Sequence, residues 1–109
     1  MFKITANPTF TSPVKISRPG ESTPGVINIT FKHKSVQALQ DWKIAFHDKS
    51  ISDALITIIE NMDGLSDDQG SCVAYTEATL LLLLQQFHSA GEQILSAYFS
   101  ELQGNRLKN

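Results

Sequence analysis

The stretch that decides the fold is Thr76–Lys108, TEATLLLLLQQFHSAGEQILSAYFSELQGNRLK, in which five consecutive leucines, Leu80 to Leu84, lead through Phe87 into a second apolar stripe at Ile94, Leu95, Tyr98 and Leu102. The spacing of that stripe is helical, and the segment reads as two helices joined by a corner. Thr76 is placed to cap the first helix and Ser89 the second, while Gly104 and Asn105 supply the stop. In the second helix Leu95 and Phe99 stand about 100° round from the Gly91–Ile94–Tyr98–Leu102 line, so the apolar surface is wider than one contact requires. It can be buried against a neighbour within the fold or against another chain.

Upstream of this hairpin, the chain changes period twice. Val14 and Ile16 alternate with Lys15 and Ser17, and Ile27, Ile29 and Phe31 alternate with Asn28, Thr30 and Lys32. Both runs have the period of a strand with one buried face, and together they predict an antiparallel hairpin. Pro8 and Pro13 lack a donor N–H and place the first strand at a sheet edge. The Pro-Gly pairs at 19–20 and 24–25 make the connection between the strands a long loop. From Ser35 the period becomes helical, with Val36, Leu39, Trp42 and Phe46 on one stripe and Trp42 as the largest core anchor. Ser50-Ile51-Ser52-Asp53 reads as a capping box opening a helix that carries Ile51, Leu55, Ile58, Ile59 and Met62 on one face, with Ile56 outside it. Asp63 to Gly70 then form a polar loop running to about Tyr75.

The expectation is therefore an α+β fold in which an N-terminal β-hairpin packs against about four α-helices, the last two forming a C-terminal helical hairpin. With 109 residues and 12.0 kDa there is room for one domain, residues 1–109, divided into a β-hairpin region at 1–34 and a helical region at 35–109.

Composition excludes more than it proposes. A net charge of −2 and a pI near 5.8 give no whole-molecule attraction for nucleic acid or anionic lipid. Residues 1–49 carry a balance of +4 and residues 50–109 a balance of −6, a split compatible with head-to-tail stacking of subunits as well as with an ordinary solvated surface. Cys72 is the single cysteine, so no internal disulfide forms and a reducing cytoplasm fits. The five-leucine run is far short of the roughly 20 apolar residues that span a bilayer, and Met1-Phe2-Lys3 opens no signal peptide. His33, His47 and His88 lack partners at metal-ligand spacing. A calcium loop starting at Asp63 would put Leu65 at an oxygen-ligand position, and one starting at Asp67 would put Cys72 where the turn glycine belongs. No phosphate-cradling glycine loop and no activated nucleophile is present, so neither an enzyme nor a cofactor is expected. Lys15, Arg18, Lys32 and Lys34 could meet phosphates across the hairpin, yet no aromatic platform alternates with them, and the expectation is no nucleic acid and no membrane.

The order Phe2-Lys3, Asn7-Pro8-Thr9-Phe10, Val14-Lys15-Ile16, Pro19-Gly20 and Phe31-Lys32-His33-Lys34 resembles the amino-terminal half of tail assembly chaperones from long-tailed bacteriophages and prophages. The carboxy-terminal half is similar as well, through Tyr75-Thr76, Leu83-Leu84, Phe87, Ile94, Tyr98, Leu102, Arg106 and Asn109. Two departures stand out: Met62 occupies the place of a family tryptophan, and His88 that of a proline at the corner. The resemblance implies a non-enzymatic assembly factor that binds the tape measure protein, keeps it soluble, helps recruit the tail tube protein, self-associates as a homo-oligomer, stays in the host cell cytoplasm and is missing from the mature virion. It also leaves open a longer frameshifted product. The surplus apolar positions Ile56, Leu95 and Phe99 are the expected protein-binding residues. The alternative is a structural virion component such as a minor tail or head-completion subunit.

Overall fold

The computed structural model describes residues 1–104, and the expectations for Asn105, Arg106 and Asn109 lie outside them. Its elements run β1 (Thr9–Ile16), β2 (Gly25–Lys32), α1 (Val36–Ala45), α2 (Ile51–Ile58), β3 (Ile59–Asp63), α3 (Glu77–Gln86) and α4 (Ala90–Leu102). The fold is α+β, with the expected hairpin and C-terminal helical pair. β1 and β2 are antiparallel in unbroken register from Thr9 opposite Lys32 to Ile16 opposite Gly25. Pro13 sits on β1, which is an edge strand of the sheet, where a missing N–H costs no ladder bond.

The sheet has three strands rather than two, in the order β1-β2-β3. The helix expected to continue to Met62 ends at Ile58, and Ile59 adopts extended angles, φ −98° and ψ 122°. β3 pairs with β2 across a bulge, since Phe31 faces Ile59 while Thr30 faces Asn61, leaving Glu60 as the extra residue. That residue explains the misreading: Ile59 and Met62 both point into the core although they stand three apart, a spacing that imitates a helix. Met62 is buried and fills its place in the core.

One face of the sheet supplies Val14, Ile16, Ile29, Phe31 and Met62 to a core closed by α2, α3 and α4. Tyr98 of α4 is its hub. Its ring stacks on Phe10 at 6.0 Å, leans on Phe31 at 5.0 Å and meets the Trp42 edge at 6.3 Å. Its hydroxyl donates to the Lys32 carbonyl at 2.8 Å, which satisfies the one polar atom that a buried tyrosine brings. Burial raises the Tyr98 pKa to about 12. At the other end of α4, Gln93 accepts from the Ser17 N–H at 3.0 Å and donates to its hydroxyl at 2.7 Å. Gly91 lies so close to α2 that a Cβ there would meet Ile51 Cδ1 at 2.8 Å.

The helix starts follow the sequence in three cases out of four. Ser35, Ser50 and Thr76 each accept from the backbone N–H three residues on, and Thr79 closes a box at the third by accepting from the Thr76 N–H. Ser89 precedes α4 but is itself in helical conformation and makes no side-chain cap. Val36, expected on the inward stripe of α1, is 80% exposed, because α1 faces the core chiefly through Trp42, the one residue it buries.

Candidate partner-binding surfaces

Two open clefts lie among the described residues of the helices and their loops. The first lies where α1, the start of α2 and α4 converge, and has a volume of about 280 Å³. Trp42 and Phe46 line one side, Leu95 and Phe99 the other, and Ile51 and Ala54 also contribute. The Trp42 ring is held by a bond from its Nε1 to Thr57 Oγ1 at 2.8 Å, and Thr57 in turn donates to the Ala54 carbonyl at 2.6 Å. Phe99 meets Trp42 edge-on at 6.2 Å. Lys43 and Lys49 stand on the rim, with Lys43 Nζ 4.9 Å above the Phe99 ring, so this is an apolar strip with a basic border.

The second cleft, of about 800 Å³, separates the 65–73 loop from α3 and the corner after it. Leu65 and Val73 face Leu82, Leu83 and Phe87 across it, and Asp67 and Asp68 form its rim. Asp67 shapes the loop by accepting from the Gln69 and Ser71 N–H groups at 2.9 and 3.0 Å. Leu81 and Leu82 are 44% and 60% exposed, which leaves a leucine surface open to solvent with an acidic border. Cys72 is exposed and bridges to Ser66 on that rim.

Of the three residues singled out from sequence, the structure brings Leu95 and Phe99 together in the first cleft and leaves Ile56 apart, half-buried on α2 against the core. Trp42 and Phe46 were expected as core, and their second role as a cleft wall has no local signature. The second cleft did have one, since no helix can bury five successive leucines on a single side. Among the described residues no three metal-ligating side chains cluster, and no helix is long and apolar enough to cross a membrane. The basic residues of the hairpin are partly engaged: Arg18 pairs with Glu21 at 3.3 Å and donates to the Thr23 carbonyl at 3.1 Å, and Lys32 lies 4.0 Å from Glu60.

Fold and clefts together define a small α+β protein whose distinctive surface is open apolar helix with charged borders. The sequence profile of the phage tail assembly chaperones matches residues 1–109, and the chain belongs to that family. No curated protein and no solved structure gives a significant match.

Proposed function

We propose that this protein is a non-enzymatic tail assembly chaperone that binds the tape measure protein, holds it soluble until the tube forms around it, and helps bring in tail tube subunits. The observation carrying this reading is the first cleft, a helix-lined strip of Trp42, Phe46, Leu95 and Phe99 left open in a chain whose family works in tail assembly. A long helical client exposes apolar side chains at intervals of three and four residues, and such a strip accepts them one turn at a time. Lys43 and Lys49 would favour clients that flank their apolar stripe with acidic residues. Several copies along one client multiply weak contacts through effective concentration, which gives self-association a purpose. In this role the protein acts in the host cytoplasm and leaves before the virion is finished.

Co-expression with the large tail protein encoded nearby tests the reading. The client is expected to become soluble and to co-purify, and Phe99→Asp is expected to abolish both while the chaperone itself stays folded. A client that is soluble unaided and ignores this chain would overturn it. Mass spectrometry of purified particles is expected to find the protein missing; stoichiometric recovery would favour a structural subunit instead.

A further inference from the structure

The first residues of the chain stand out as the least covered apolar segment. Phe2 is 90% and Ile4 94% exposed, with Lys3 between them making one bond, to Asn7 Oδ1 at 3.3 Å. A phenylalanine and an isoleucine so close together with almost no protein contact leave a strong drive to be buried elsewhere. The acidic cleft offers the complementary surface, with a floor of Leu65, Val73, Leu82 and Phe87 and a rim of Asp67 and Asp68. The basic cleft is the wrong partner for Lys3, since Lys43 and Lys49 already border it.

The arm is too short to lay both Phe2 and Ile4 in its own cleft. It leaves β1 at Thr9, which pairs with Lys32, whereas the cleft begins just past Gly64, packed against the Val26 carbonyl at the opposite end of β2. Lys32 and Val26 stand six residues apart on β2, about 20 Å at ~3.4 Å each, and β3 lies two strand spacings, roughly 10 Å, to the side of β1. Ile4 and Phe2 precede Thr9 by five and seven positions and reach roughly 17 and 24 Å when fully extended, so Ile4 falls short of the cleft and Phe2 reaches no further than its near edge.

We propose that the amino-terminal arm of one copy docks into the acidic cleft of a second copy, with Phe2 and Ile4 on the leucine floor and Lys3 against Asp67 and Asp68. This rests on the self-association included in the proposed function and gives it a geometry. Arm and cleft are different surfaces at opposite ends, so the contact is heterologous: each copy offers one arm and one cleft, and successive copies form a row or a ring. A row of this kind repeats the basic client cleft at a fixed interval.

The native Cys72, exposed beside the cleft between its partner Ser66 and the lining residue Val73, makes the arrangement measurable. Full-length protein carrying Ile4→Cys, treated with diamide, is expected to give a ladder of disulfide-linked dimers, trimers and longer species on a non-reducing gel. Wild-type protein is expected to give dimers through Cys72 at most. Ile4→Cys combined with Cys72→Ser, mixed with wild type, is expected to yield mixed dimers but no ladder. In light scattering, Phe2→Ser is expected to weaken self-association at least about tenfold. Lys3→Glu is expected to weaken it by up to about fivefold, with partial recovery when Asp68→Lys is added.

Loss of free thiols in Ile4→Cys without a ladder would mean that the arm folds onto its own molecule and would overturn the proposal. Unchanged association in Phe2→Ser would overturn it too. Client solubility is measured in parallel with the same proteins. A missing ladder with the client still held soluble breaks the arm exchange alone, whereas a full ladder with an insoluble client breaks the chaperone reading alone.

Discussion

The two helices of the C-terminal pair use their apolar residues in opposite ways. α3 contains the five-leucine run yet buries only Leu80 completely, while α4, interrupted by Ser96, Glu92 and Gln93, buries Ala90, Gly91, Ile94, Ala97 and Tyr98. Periodicity accounts for the difference. Leucines at five successive positions point all round a helix, whereas α4 repeats small and large apolar residues at three and four, so that one face meets the sheet continuously. Gly91 and Ala97 let α4 approach closely, and Tyr98 fills the remaining volume. Apolar content alone therefore says little about which helix anchors the fold and which presents surface.

The contrast is breakable by mutation. Tyr98→Ala should have the largest effect, a loss of about 3–5 kcal/mol in chemical denaturation, because the substitution empties the aromatic hub joining Phe10, Phe31 and Trp42. Leu80→Ala should cost about 2–5 kcal/mol, since this is the single leucine of its run with no exposure. If it proves harmless, α3 contributes nothing to the core and the comparison fails. Alkaline pH should act on α4 through Tyr98, and in the same direction on Tyr75, whose pKa burial and the Glu77 charge also raise. Tyr98 keeps its proton up to about 12 when folded but loses it near 10 when unfolded, so its contribution is intact below 10 and is lost as pH climbs toward 12. Thermal melts across that window should fall more steeply for wild type than for Tyr98→Phe. Leu82→Ser should change stability by no more than about 0.5 kcal/mol, as expected for a residue 60% exposed, and should reduce self-association instead.

Local chemistry was the legible part of this sequence. The alternation at Val14–Ile16 and Ile27–Phe31 dictates the hairpin, and Ser50 and Thr76 announce their helices through hydroxyls that can satisfy a free N–H, although the return bond expected from Asp53 to Ser50 is not formed; Ser35 was legible only as the point where the period turns helical. β3 was hidden because the bulge at Glu60 replaces the strand period by a helical one. Val36 misled for another reason: a stripe shows which residues share a side, but only the neighbouring elements decide how far along the helix that side is covered. The clefts were legible only as surplus. Leu95 and Phe99 could be marked as excess from α4 alone, but their facing walls, Trp42 and Phe46, come from a helix about 50 residues earlier. No short-range pattern records such a meeting.

The placement of Pro13 has a consequence for the two open borders of the sheet. Both outer strands of the sheet are exposed to recruitment of further strands, the route by which concentrated β proteins coalesce into fibrils. β3 is only five residues long and bulged, and the longer border, β1, is interrupted at its centre by a residue with no hydrogen to donate. Backbone-to-backbone zipping of one copy onto another is thereby disfavoured.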